Sequence, residues 1–149
     1  MSSHPNPPRR RWMAVLARAS ADEIAGRLDA IPTPPPHVRL RGPETGLVMV
    51  RGRAGGDGAP FNLGEMTVTR CSVRLPDGRV GHAYVAGRDG RQAELAALVD
   101  ALLLDDATRD ALQAAVIAPL AEAQAARCEA IARKAAATRV NFFTMQQMR

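Results

Sequence analysis

The sequence predicts one α+β domain in which helices pack on an antiparallel β-meander of three to four strands. Helical spacing of apolar residues appears near the N-terminus, and Val- and Thr-rich segments joined by turn residues fill the middle. An Ala/Leu-rich helical segment follows and is expected to pack on the sheet. At 149 residues the chain has the length of one domain. Its predicted parts are a disordered start (1–8), helices (9–31), a sheet (37–86), helices (90–138) and a docked tail (139–149).

Two helices are predicted before the sheet. Arg9 to Ala19 places Trp12, Val15, Leu16 and Ala19 on one helical face. Ser20 and Glu23 form a capping-box pattern, so a second helix should start there and end before Pro32. The proline-rich run 32–36 then predicts a stiff connector without helix or central strand.

The strands should follow in order along residues 37–86. A short strand, His37 to Arg41, is expected to stop at Gly42-Pro43, and a second runs from Gly46 to Arg53. A glycine-rich loop then leads to a long strand, Glu65 to Leu75, and a turn at 76–78 returns the chain along Val80 to Ala86.

The turn at Pro76-Asp77-Gly78 also predicts the register of its two strands. Pro76 has no N–H, so a type I turn with Gly78 as a left-handed bulge residue fits better than a two-residue turn. That register pairs Leu75 with Arg79, Ser72 with His82 and Arg70 with Tyr84. The core face then carries Thr69, Cys71, Val73, Ala83 and Val85, and the contact face carries Arg70, Ser72, Arg74, His82 and Tyr84.

The last third of the chain is predicted to be helical. Arg91 to Leu104 groups five apolar residues, and Asp105 or Asp106 is expected to cap the next helix, which Pro119 kinks or restarts. Leu120 to Thr138 is rich in alanine and should pack closely on another element, in this chain or a second one. The tail, 140–148, contains two phenylalanines and two methionines and is expected to dock.

Composition restricts the classes of partner and the compartment. A net charge of +5, almost all from arginine, allows nucleic acid, a phosphorylated small molecule or an acidic protein surface. Cys71 and Cys128 form neither a zinc pattern nor a disulfide framework, which favours reduced thiols and a cytoplasmic location. No apolar run is long enough for a signal peptide or a membrane span, so we expect no membrane partner.

Four arginines are candidate contacts for a phosphorylated ligand or an acidic partner: Arg51, Arg53, Arg70 and Arg74. They lie on neighbouring predicted strands, but the register of the 46–53 and 65–75 pair is left open. The loop at 52–58 lacks the spacing of a phosphate-binding loop and precedes a strand, so we favour a plain hairpin loop. A solvated or salt-bridged sheet face remains the alternative for the arginines.

Glu65, Cys71 and His82 are the residues that a stand-alone enzyme would use. The predicted register places Cys71 and His82 on opposite faces of the sheet, where they cannot share a proton. Glu65 has no second acid nearby, and the three scattered histidines give no metal spacing. We therefore expect no metal and no confident catalytic residue. Nucleic-acid binding is also disfavoured, because Tyr84 is the sole tyrosine and no known module appears.

Two stretches resemble the PhnG family. They are the segment from Pro43 to Val73, PETGLVMVRGRAGGDGAPFNLGEMTVTRCSV, and the segment from Gly81 to Arg88, GHAYVAGR. The opening RWMAVLARA at 11–19 and the helix after Gly90 also resemble it, so the likeness covers nearly the whole chain. The C-terminal helix and tail are less diagnostic.

The resemblance implies a subunit of the bacterial carbon–phosphorus lyase core complex, which is two-fold symmetric and degrades phosphonates. Such a system displaces adenine from ATP by a phosphonate to give ribose 1-phosphonate 5-triphosphate, with the nucleotide chemistry mainly in another subunit. A separate iron–sulfur, S-adenosylmethionine-dependent partner then breaks the C–P bond. We expect an accessory subunit without its own cofactor. ATP, with magnesium, and the phosphonate would be substrates of the complex.

The expected partners are the other core subunits, and we expect the chain to self-associate when it is alone. Its candidate contact residues for a ligand or a partner are Arg51, Arg53, Glu65, Arg70, Arg74, His82 and Tyr84. The two alternatives are a stand-alone enzyme that uses Glu65, Cys71 and His82, and a basic nucleic-acid-binding protein.

Overall fold

A three-stranded antiparallel sheet in the order β1-β2-β3 forms the centre of the computed structural model. The strands are β1 (Val38–Gly52), β2 (Phe61–Arg74) and β3 (Val80–Ala86), and helices cover one face. The structure describes residues 7–29, 35–55 and 58–140. The α+β meander is confirmed, with three strands in the described part of the chain. The predictions for residues 1–6, for the helix end and connector at 30–34, for positions 56 and 57 of the glycine-rich loop and for the tail from 141 lie outside the described residues.

The helices are α1 (Pro7–Leu16), α2 (Ala21–Leu28), α3 (Gly90–Leu102), α4 (Arg109–Leu112) and α5 (Ala118–Ala137), with a π-helical turn, Gln113–Ile117, before α5. α1 begins two residues earlier than predicted, because proline fits the first helical turn, where an N–H has no helical partner. α3 packs on the sheet, and the π-helical turn and α5 pack against α1 and α2.

The predicted capping box starts α2. The Ser20 side chain accepts a hydrogen bond from Glu23 N, and the Glu23 carboxylate accepts one from Ser20 N at 2.8 Å. The Ser20 N–H, together with the Arg127 side chain, lowers the pKa of Glu23 to about 2. Because the folded pKa lies below its ordinary value of 4.5, this carboxylate stabilises the fold at neutral pH and stops doing so as the pH falls towards 2.

The turn between β2 and β3 has the predicted geometry. Gly78 has φ 90°, and its N–H donates to Leu75 O at 3.0 Å, while Leu75 N donates to Arg79 O at 2.9 Å. The predicted pairs of Arg70 with Tyr84 and Ser72 with His82 are present. A left-handed residue at the end of the turn therefore sets the register of the whole β2–β3 ladder.

The prediction of a break at Gly42-Pro43 was wrong, because β1 continues through it to Gly52. The register shifts between Arg39 and Arg41 and between Arg41 and Glu44 absorb the irregularity. β1 is an edge strand, so the missing N–H of Pro43 can face away from β2 at no cost. β2 also begins earlier than predicted, at Phe61, and forms a long hairpin with β1.

The prediction that Asp105 or Asp106 caps the next helix was also wrong. Asp105 Oδ1 accepts a hydrogen bond from Ala107 N, and the next helix starts at Arg109 after Thr108. The Arg109 side chain instead donates to Leu103 O at 2.8 Å and lies over the Trp12 ring. A turn thus separates α3 from α4, because Asp105 bonds two residues ahead rather than opening a helix.

α3 and β3 approach each other more closely than a helix and a strand with ordinary side chains could. A Cβ atom at Gly81 would lie 2.0 Å from Ala97 O and 2.5 Å from Ala101 N. Ala93, Ala96, Ala97 and Ala101 form the buried small-residue face of α3. The small residues on both elements therefore allow this approach.

A buried carboxylate ties α1, α3 and β3 together. Asp100 Oδ1 accepts from Trp12 Nε1 at 2.8 Å and from Arg9 Nε at 3.2 Å. Its Oδ2 accepts from Arg9 Nη2 at 2.7 Å and from the backbone N of His82 at 2.9 Å. Asp100 is fully buried, so these four donors replace the water that the charge has lost.

Replacing Asp100 with Asn should lower the free energy of unfolding by about 3 kcal/mol, because it removes the charge that pairs with Arg9. The new amide would also direct N–H groups at existing donors. Urea denaturation followed by circular dichroism measures the change. Asp106→Asn is the control, since that carboxylate is exposed and, in the part of the chain that the structure describes, forms an ion pair with Arg109 alone; it should cost less than about 1 kcal/mol. Equal effects of the two substitutions would contradict this role of Asp100.

Candidate functional site

The sheet face away from α3 carries the residues of the predicted contact face, together with Arg41. We call it the open sheet face and define it by Arg41, Arg70, Ser72, Arg74, His82 and Tyr84. Strand alternation and the observed register place them on one side, and all are exposed except Ser72, which is half-buried. Thr69, Cys71, Val73, Ala83 and Val85 are buried on the opposite side, so the predicted division of the two faces is confirmed.

Positive charge is in excess on the open sheet face. Glu44 Oε2 lies 3.5 Å from both Arg41 Nε and Arg70 Nη2, so one carboxylate serves two guanidinium groups. Within the described ranges, Arg74 has no carboxylate within salt-bridge distance. Three arginines with one acid form a surface that favours an anion or an acidic protein.

His82 is held in place by a cross-strand hydrogen bond. Its Nδ1 lies 2.9 Å from Ser72 Oγ, and either tautomer of the ring can form this bond. In the described chain, no carboxylate is hydrogen-bonded to the other ring nitrogen, so the pair lacks the third group that orients a nucleophile–base couple. The bond therefore fixes the ring on the surface beside Tyr84 without forming a triad.

The structure does not bring the four candidate arginines together. Arg51 pairs with Asn62 near the far end of the β1–β2 hairpin, and Arg53 follows the end of β1. Asn62 and Arg70 are eight residues apart on β2, which corresponds to roughly 27 Å. Arg51 and Arg53 thus belong to a different surface from Arg70 and Arg74. The sequence did not determine the register between β1 and β2, and the structure shows that Met49 pairs with Glu65.

Glu65, Cys71 and His82 do not converge on one reactive centre. Glu65 is exposed on the hairpin, six residues along β2 from Cys71, which is roughly 20 Å. Cys71 lies on the buried face, where its Sγ is 3.4 Å from Arg41 O. Burial raises the pKa of the Cys71 thiol, with a further contribution from Glu94. The thiol is therefore protonated and a poor nucleophile at neutral pH.

The far part of the β1–β2 hairpin is apolar and exposed, which the strand pattern in the sequence did not indicate. The structure exposes Leu47 and Met49 on β1, and it exposes Phe61, Leu63 and Met66 on the paired strand. The signal in the sequence was the length of the apolar alternation, which extends past the residues that β3 and α3 could cover. A strand assignment alone could not show that this part of the sheet has no covering layer.

In residues 7–29, 35–55 and 58–140, no three His, Cys, Asp or Glu side chains are placed to hold a metal ion. No helix in these ranges combines the length and the apolar content needed to cross a membrane.

A depression of about 450 Å³ lies beside the open sheet face and is lined by Pro36, His37, Val38, Arg74, Leu75, Pro76 and Gly78.

Comparison with known proteins defines the class. Residues 7–147 match the model of a family described as phosphonate metabolism protein PhnG. The chain belongs to the PhnG family, as its sequence resemblance indicated. One relative is the α-D-ribose 1-methylphosphonate 5-triphosphate synthase subunit PhnG of Rhizobium meliloti (strain 1021). The two are 50% identical over 141 residues, which cover 92% of this chain and 87% of the relative.

The two cysteines should differ sharply in reactivity. Cys128 is exposed on α5 and Cys71 is buried with a raised pKa, so about one thiol per native chain should react rapidly with Ellman's reagent at pH 7.5. Cys128→Ser should remove this rapid phase, and urea should release the second thiol. Rapid labelling of Cys71 in the folded Cys128→Ser variant would instead support a reactive thiol.

Proposed function

We propose that this chain is an accessory subunit of the synthase that makes α-D-ribose 1-methylphosphonate 5-triphosphate in phosphonate breakdown. The similarity to the PhnG subunit of that synthase along nearly the whole of both chains carries this proposal. The subunit contributes surfaces for ligand and partner rather than reactive groups. The separation of Glu65, Cys71 and His82 supports this division of labour, because these three residues were the candidates for an independent active centre.

The proposal extends to the setting in which the chain works. Its partners are the other subunits of the synthase, and without them it self-associates or loses solubility through its exposed apolar hairpin. ATP with magnesium and methylphosphonate are substrates of the assembled synthase, and this chain holds no cofactor of its own. The assembly acts in the cytoplasm, where Cys71 and Cys128 stay reduced.

The open sheet face is the proposed contact surface for a phosphorylated ligand or for an acidic partner surface. Arg70 and Arg74 supply planar donors that match phosphate or carboxylate oxygens. His82 is fixed by Ser72, and Tyr84 lies opposite Arg70 across the strands. The face is open and lacks a covering layer within the described chain, so a second polypeptide is needed to enclose a ligand there.

Reconstitution tests the accessory role. The purified chain mixed with ATP, magnesium and methylphosphonate should give no ribose 1-methylphosphonate 5-triphosphate by ³¹P NMR. The complete set of synthase subunits should form it, omission of this chain should lower the rate by roughly 100-fold or more, and adding the chain back should restore it. Product formation by the chain alone would establish the stand-alone enzyme instead.

Replacement of Arg70 and Arg74 by alanine tests the open sheet face. In the reconstituted synthase, the double variant should either raise the KM for ATP or weaken incorporation of the subunit by about tenfold, because each arginine provides charged hydrogen bonds. Arg133→Ala is a matched control, since Arg133 is an exposed arginine on α5 whose one ion pair among the described residues is with Glu129. If the double variant matches Arg133→Ala within twofold in both measurements, the open sheet face is not a contact surface.

A further inference from the structure

The far end of the β1–β2 hairpin projects beyond the rest of the sheet. β3 pairs with β2 only from Val68 onward, so residues 47–52 of β1 and 61–67 of β2 have only each other as strand neighbours. We call these two segments the arm. The arm is about 20 Å long at the rise of a β-strand. Every residue in it is exposed or half-buried, so within the described chain nothing covers it.

Both faces of the arm are apolar. Leu47 and Met49 continue the face that α3 covers further along the sheet, whereas Val48 and Met66 lie on the opposite face. The exposed fractions are 64% for Leu47 and 53% for Met49, and Met66, Phe61 and Leu63 are similarly exposed. A strand with one face in water alternates apolar and polar residues, whereas residues 47–50 of β1 are all apolar. A continuous apolar run is typical of a strand that is buried on both faces.

The free edge of β1 is protected in one half only. Pro43 and two of the three register shifts lie in the half that packs on α3, where Arg39 also forms an ion pair with Glu94. The third register shift, between Val50 and Arg51, lies near the end of the arm and leaves the edge from Gly46 to Val50 regular. The segment Gly46–Val50 has neither a charge nor a proline. Exposed flat apolar edges invite pairing with another chain, and a two-stranded ribbon alone is at best marginally stable in water. The arm therefore has the properties of a segment that a partner covers.

Charge at the end of the arm indicates the chemistry of that partner. Arg51 is exposed near the end of β1 and Arg53 follows it, and neither has a salt bridge in the part of the chain that the structure describes. Glu65 is the single carboxylate in the described arm. An apolar surface with two unneutralised guanidinium groups at its end is complementary to an apolar cleft with carboxylates at its rim.

We propose that the arm inserts into an apolar cleft of another subunit of the synthase, with acidic residues of that subunit facing Arg51 and Arg53. This inference rests on the proposed function, because it takes the partner from the same assembly. In this arrangement the arm contacts the other subunit, and the open sheet face stays available for a ligand or for further contacts. The inserted arm would be covered on both faces and on its free edge.

A second copy of the chain fits the arm less well. The depression of about 450 Å³ on this chain is lined by His37 and Arg74 and has no acidic residue, so it does not complement a basic arm. Pairing of two arms along their β1 edges would cover one edge and leave both apolar faces in water. Each copy also has a net charge of +5, which opposes close approach of two basic arm ends.

Capture of the full-length chain by the remaining synthase subunits tests the proposal. Leu47→Thr/Met49→Thr and Met66→Thr each remove apolar surface from one face of the arm while keeping good strand formers. Each should weaken binding, by about 30-fold or more for the double variant, because buried apolar anchors dominate interface energies. Arg51→Glu/Arg53→Glu should slow association by about tenfold, with a smaller effect at high salt.

Leu40→Thr is the matched control, because Leu40 is similarly exposed on the same strand but lies outside the arm. It should bind like the unaltered chain. All variants should keep the melting temperature of the unaltered chain, because the arm adds nothing to the core, and the variants with fewer apolar groups on the arm should be more soluble alone.

The outcomes separate this inference from the proposed function. If the unaltered chain is not captured at all, the proposed function fails and takes the inference with it. If it is captured and the arm variants bind equally well, the inference alone is wrong. If the arm variants abolish self-association yet bind the other subunits normally, the arm joins two copies of this chain, and the inference is overturned in favour of that occupant.

Discussion

The four hydrogen bonds to Asp100 are the interaction on which the rest of the structure depends. Through Asp100 on α3, they join the Trp12 indole and the Arg9 guanidinium of α1 to the backbone N–H of His82 on β3. Gly81 lacks a side chain and so allows α3 to lie close to β3. With α1 and α3 fixed on one side of β3, the helical layer covers only that side. The open sheet face is a consequence of this one-sided layer, whereas the arm extends beyond the residues that β3 pairs with.

Local chemistry made much of the fold predictable. The Ser20–Glu23 capping box fixed a helix start, and the missing N–H of Pro76 with the left-handed Gly78 determined the register of β2 and β3. From that register alone, the burial of Cys71 and the exposure of His82 followed correctly. The family was also recognisable, because a long motif in the hairpin region resembles it and the family model covers residues 7–147.

Features that depend on contacts distant in sequence could not be predicted. The role of Asp100 depends on Trp12 and Arg9, which are 88 and 91 residues away in the sequence. The residues next to Asp100 in the sequence give no sign of these partners. Pro43 suggested a break in the strand, because proline cannot donate a backbone hydrogen bond to a neighbouring strand. An edge strand accepts a proline, but the sequence does not show that β1 is an edge strand. The separation of Arg51 from Arg70 and the exposure of the arm likewise required the β1–β2 register and the reach of β3, which only the folded chain defines.

We infer that this chain is structurally incomplete and that its arm is covered by an apolar cleft with acidic residues on another subunit. Amide hydrogen exchange within residues 47–50 and 61–66 tests it most directly, in the free chain and in the assembled synthase. The account predicts exchange close to that of a frayed ribbon in the free chain, and slowing by at least about tenfold on assembly, while amides of β3 near Asp100 stay protected in both. Equal exchange of the arm in the two states would contradict the account.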